Sequence, residues 1–178
     1  GQVQRLKDLY TPPAEYLPAP PADRLVLVFS RMGRDPLAGP AKWARVEGDV
    51  LGRELARLQR EIYTATVSLP LSGDRSGERD TGLLPAFNFA EVKVLEAPPA
   101  ADALLALIKR ERDAWGDHLA WTTNAAASVD LFATGGESLV IVLDGSQRLR
   151  SVIPIGDHAT TESVLDQITA SLMERAGE

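Results

Sequence analysis

With 178 residues, 44% of them apolar and 25% charged, the chain has the composition of one globular domain large enough to bury a core. A net charge of -6 argues against a general nucleic-acid binder, whose phosphate contacts need clustered Lys and Arg. The absence of cysteine excludes disulfides, thiolate metal sites, a Cys nucleophile and dithiol redox chemistry. Two histidines and two methionines give little support to a multi-His zinc site or a Met-rich copper site, and a carboxylate site for a hard cation stays open. No apolar run approaches the roughly 20 residues that a membrane span requires, and the first residues hold no signal-peptide core. An upstream signal or anchor stays open.

Residues 1–21 stand apart as a Pro-rich N-terminal arm. Val3, Leu6 and Tyr10 fall at helical spacing, and five prolines crowd between Thr11 and Pro21. Such a tract favours extended polyproline conformation, so the arm is read as a surface linker or as a segment that docks on a partner or tethers the domain, and its removal is expected to leave the core intact. Residues 22–178 form the single α/β domain. Arg24 to Ser30 (RLVLVFS) reads as a central strand, because Leu25 to Phe29 leave no polar face. The loop RMGRDPLAGP follows, broken by Gly33, Pro36, Gly39 and Pro40, and a helix is expected from about Ala41 to Ile62. Its apolar stripe is Trp43, Val46, Val50, Leu51, Leu55, Leu58 and Ile62, with Asp49 and Glu61 placed for i,i+4 pairing with arginines. Gly48 and Gly52 weaken that helix, which points to close packing against the sheet.

Tyr63 to Leu69 alternates apolar and Thr/Ser residues and predicts a second strand, and Ser72 to Gly82 is a charged loop by composition. Phe87 to Leu95 predicts a further strand. After Pro98 and Pro99, Asp102 can cap a helix to about Trp115, with Leu104, Leu105, Ile108 and Trp115 inward and the KRERD run of 109–113 largely outward. His118 to Trp121 suits a short strand and Asn124 to Phe132 a short helix. Ser138 to Ile155 (SLVIVLDGSQRLRSVIPI) is a hairpin: Leu139 to Leu143 is an unbroken apolar run, Asp144, Gly145 and Ser146 supply the turn, and Pro154 places the return strand near an edge. The last helix is expected from about Thr161 to Arg175, capped by Thr160 or Thr161, with Val164, Leu165, Ile168 and Leu172 inward.

Strand, helix, strand, a helical region, a strand hairpin and a terminal helix make an order that resembles the thioredoxin-like family. The resemblance covers about 25 to 175 and is closest to the larger, membrane-tethered periplasmic branch with an insertion before the hairpin. It rests on LVLVFS before a loop and a long helix, and on GGESLVIVLDGSQRLRSVIPIG. The sequence departs from the family in two places. The CxxC expected in or near RMGRDPLAGP is missing, and Ser138 stands where the family has a cis-proline before the hairpin. The resemblance therefore implies a thioredoxin-like central sheet flanked by helices, without dithiol chemistry. The alternative is a ferredoxin-like α+β sheet with an added strand and helix, which counts Phe87 to Leu95 as an extra strand.

No nucleophile and base pair is singled out. His118 and His158, the only imidazoles, lack a Ser elbow or metal-ligand spacing, so no catalytic, metal or cofactor site is assigned. The candidate binding site is Arg31, Gly33, Arg34 and Lys42. They lie at the carboxyl end of a buried strand and before a helix, where basic side chains and free N–H groups suit a carboxylate, a phosphate or an acidic partner. The leading expectation is a redox-inactive, thioredoxin-like module that binds a protein partner through the arm or this loop, as an assembly factor or accessory subunit. The alternatives are a cysteine-independent enzyme acting on a small anionic substrate at this loop, and a purely structural subunit. The compartment leans towards periplasmic or exported, through the resemblance and an arm that could follow an anchor.

Overall fold

The structure is a computed structural model that describes residues 5–33, 42–43, 46–68, 84–95, 97–116, 118–123 and 138–174. The strands are β1 (Arg24–Gly33), β2 (Lys42–Trp43), β3 (Val46–Glu47), β4 (Phe87–Leu95), β5 (Leu119–Thr122), β6 (Ser138–Asp144) and β7 (Leu149–Pro154). The α-helices are α1 (Gly48–Ser68), α2 (Ala101–Trp115) and α3 (Thr161–Met173). Five strands make one sheet in the order β5-β4-β1-β6-β7, and β2 and β3 pair separately. β1 pairs with β4 in parallel and with β6 antiparallel, β4 pairs with β5 in parallel, and β6 returns antiparallel as β7. The fold is a thioredoxin-like α/β arrangement: two adjacent parallel strands joined through a helix, then an antiparallel hairpin on the other side of β1 and a closing helix. The ferredoxin-like alternative would insert a strand between the two parallel ones. Here β1 and β4 are immediate neighbours.

Alternation along the strands divides the core into two layers. Val26 and Val28 of β1, Phe87 and Phe89 of β4, Val140 and Val142 of β6 and Ile153 of β7 share one face. Against it pack Leu51, Leu55 and Ile62 of α1, Ala114 and Trp115 of α2, and Val164, Ile168 and Leu172 of α3. The other face carries Leu25, Leu27, Phe29, Ala90, Val94, Leu139 and Leu143 and is joined by Tyr10 and Ala22. Each fully buried aliphatic or aromatic side chain contributes about 1.5–3 kcal/mol relative to exposure, so both layers matter to stability.

The strand partner of β1 is 87–95. Tyr63 to Ser68 is instead the last part of α1, and 69 lies outside the described residues. The Tyr63 alternation also fits a helical stripe, since Leu55, Gln59, Ile62 and Tyr63 are all buried at spacings of three and four. Adding residues to an existing helix costs no new nucleus. The helix begins at Gly48 rather than Ala41, because Trp43 and Val46 pair across the β2–β3 hairpin. Gly52 is needed for close approach to α2, not to the sheet: a Cβ there would stand 2.8 Å from the Ala114 carbonyl oxygen and 3.0 Å from the Trp115 ring.

On α2, Ala100 takes the cap position and Asp102 lies in the first turn. Leu107, Glu111, Ala114 and Trp115 face inward, while Leu105 and Ile108 are exposed, so the expected facing differs by part of a turn. α3 matches its expectation closely. The Thr160 hydroxyl accepts from the Ser163 N–H at 3.1 Å, and Val164, Ile168 and Leu172 are buried. The expected loop 72–82 and helix 124–132 lie outside the described residues.

The N-terminal segment is seated on the domain over its described part. Two short 3-10 turns, Leu6–Tyr10 and Ala14–Tyr16, wrap the end of the sheet where β1 and β4 begin. Tyr10 is buried, and its hydroxyl donates to the Asp144 carbonyl at 2.6 Å. Tyr16 stacks on Tyr63 with ring centroids 4.8 Å apart. Asn88 ties the segment down. Its amide donates to the Leu9 and Thr11 carbonyls at 2.8 Å each, and its oxygen accepts from Gln59 at 3.1 Å and the Tyr63 hydroxyl at 3.0 Å. Prolines kept this segment out of the ladder, but they did not prevent docking through side chains and carbonyls.

Candidate functional site at the carboxyl ends of the parallel strands

α1 leaves the carboxyl end of β1 and returns to the start of β4, so the ends of β1 and β4 open on the same side of the sheet. Open α/β sheets bind ligands at such ends. Arg31 and Gly33 are placed here, in register with Val94 and Leu95. Lys42 pairs with Glu47 across the β2–β3 hairpin, and the Glu47 N–H donates to the Thr161 hydroxyl at the start of α3 at 3.0 Å. Three of the four expected site residues thus belong to backbone near one end of the fold. Arg34 lies outside the described residues.

One residue before Arg31, the sheet carries a buried ionic cluster. Phe87, Phe89, Glu91 and Lys93 alternate onto the face covered by the helices, and Ser30 of β1 is level with Lys93. α2 lays Glu111 over them. Ser30, Glu91, Lys93 and Glu111 are 1%, 0%, 1% and 3% exposed. The Lys93 ammonium contacts Glu91 Oε1 directly and lies 3.8 Å from Glu111 Oε1. The Ser30 hydroxyl donates to Glu91 Oε1 at 3.1 Å, and Arg110 reaches Glu111 Oε1 at 2.9 Å. Glu91 Oε2 is buried without a hydrogen-bond partner. Burial pushes the Glu91 carboxyl above its ordinary range; Lys93 opposes that, and the neighbouring Glu111 adds to it.

Chemically, the cluster can either hold a proton on Glu91 or share one ammonium between two carboxylates. A cleft of about 500 Å³ lies elsewhere, lined by residues including Asp8, Glu15, Asn88, Ala90, His118 and Ala120, and does not include the cluster. His118 stacks on Phe89 with centroids 4.2 Å apart, and His158 is exposed in the turn before α3. Among the described residues no group of three or more His, Cys, Asp or Glu is placed to hold a metal, and no helix is long and apolar enough to cross a membrane.

Reading 87–95 as a strand does not by itself single out Glu91 or Lys93. One signal was available. They share the parity of Phe87 and Phe89, which puts both charges on the same face as the two aromatic rings.

No family model and no curated protein matches the chain. Two solved structures are similar in fold. One is a proposed thiol:disulfide interchange protein, DsbE, from Chlorobium tepidum, at 11% identity and a TM-score of 0.43, over 85% of this chain and 81% of that one. The other is a thioredoxin-like protein from Aeropyrum pernix, at 11% identity and a TM-score of 0.43, over 84% and 78%.

Proposed function

We propose that this chain is a thiol-independent, thioredoxin-like module that binds a protein partner, as an accessory subunit or assembly factor. The observation that carries the reading is the carboxyl end of the parallel strands. The chain has no cysteine, and the described side chains beneath that end, Ser30, Glu91, Lys93 and Glu111, are sealed from solvent and engaged with one another. Such a platform supports contact better than turnover.

Exposed apolar residues support the same reading. Leu105 and Ile108 on α2 are 67% and 41% exposed, and Trp121 on the edge strand β5 is 40% exposed. Trp and Leu at such exposure suit an apolar partner segment, and the basic Arg31, Arg34 and Lys42 suit its acidic groups. The test is affinity purification of the tagged chain from its native source beside the Leu105→Ser, Trp121→Ser double variant. The reading expects a fixed partner in stoichiometric amount with the parent chain and at least a tenfold loss with the variant, at unchanged melting temperature. A monomer that turns over a small anion, with loss on Lys42→Ala, would replace it with the enzymatic alternative.

A further inference from the structure

We propose that Glu91, Lys93 and Glu111 form a proton-linked latch that holds α2 and β5 on the sheet and loosens as pH rises. The geometry is a single buried ammonium between two carboxyl groups carried by different elements. β4 supplies Glu91 and Lys93, α2 supplies Glu111 with Arg110 at its outer side, and β1 supplies the Ser30 hydroxyl. β5 places Leu119 level with Glu91 and Trp121 level with Lys93, and adds no ionisable group. Glu91 Oε1 is used twice, by Lys93 and by Ser30, while Oε2 faces no donor.

A proton on Glu91 removes an anion that this pocket does not fully solvate. Without that proton, two carboxylates compete for Lys93 in a dry setting. Among the described elements, α2 lies over Glu91 and β5 beside it, so water gains access to Glu91 when these two move away. The raised Glu91 pKa agrees with this geometry. The sign follows from the direction of the shift. The latched form keeps a proton that the opened form, with solvated Glu91, gives up. Below the ordinary glutamate range both forms are protonated and opening is independent of pH. Between that range and the raised value, opening releases one proton, so the opening constant rises by up to tenfold per pH unit. Above the raised value it is flat again.

The experiment is amide hydrogen exchange of the full chain from pH 5 to 8, with protection factors corrected for intrinsic rates. Amides of 101–115 and 119–122 are compared with those of β1 and β6. The expected result is protection in α2 and β5 that falls with pH by up to tenfold per unit, more steeply than in β1 and β6, and a slope abolished in Glu91→Gln. The same slope in Glu91→Gln, or equal slopes in all elements, would overturn the latch. Should Glu91→Gln fail to fold, the parent chain decides by ¹³C titration of the Glu91 carboxyl: a midpoint above the ordinary glutamate range is expected, and one at or below it overturns the latch.

Discussion

Asn88 shows how one side chain joins three parts of this molecule. Both amide hydrogens are given to carbonyls of the N-terminal segment, and its oxygen receives two donors from α1. Replacing it with Leu removes all four bonds and leaves the Tyr63 hydroxyl and two carbonyls to find other partners. At about 0.5–1.5 kcal/mol per bond, Asn88→Leu is expected to destabilise by about 2–6 kcal/mol, read as a lower urea midpoint at unchanged slope. Gly52→Ala is a sharper test of helix packing. Alanine is worth about 1 kcal/mol more than glycine in a helix, but the added Cβ meets the Ala114 carbonyl and the Trp115 ring. Backbone and a packed indole cannot give way cheaply. The expected outcome is net destabilisation of about 1–2 kcal/mol by chemical denaturation, whereas a stabilised variant would mean that α1 and α2 are farther apart.

The elements differ in how plainly the sequence announces them. β1 and the β6–β7 hairpin were legible because Leu25 to Phe29 and Leu139 to Leu143 are unbroken apolar runs rich in β-branched residues, and Asp144 marks the turn. Its carboxylate accepts from the Ser146 and Arg148 N–H groups at 2.8 and 3.0 Å, which holds it below the usual carboxylate range. Residues 63–68 were not legible, since Tyr-Thr-Ala-Thr-Val-Ser satisfies both periods, and the Asn88 and Tyr16 partners that favour the helical one are distant in sequence. The buried cluster was legible only in part: the parity of Glu91 and Lys93 is local, but the register of β4 against β1 and the approach of Glu111 are not. The N-terminal segment belongs to this scale. Deleting residues 1–21 removes the burial of Tyr10, its bond to Asp144 and the Asn88 contacts, so a loss of about 3 kcal/mol is expected, or roughly 6–12 °C in melting temperature. A change of a degree or two would mean that the segment is a separable arm.

At the scale of the whole molecule, the thioredoxin-like sheet carries no thiol and so has no means of dithiol exchange. Its stability is expected to be indifferent to reductant, and a reductant-dependent melting shift in the purified chain would contradict that. Under the proposed reading, a partner would meet the sealed strand end and the exposed apolar set on α2 and β5. The direct measurement is the mass of the native complex, by light scattering on the tagged chain purified from its own source, with and without reductant. The account predicts a discrete assembly larger than the 19.2 kDa chain, of the same mass in both conditions. A lone 19.2 kDa species in both, or an assembly that reductant dissolves while both components stay folded, would contradict it.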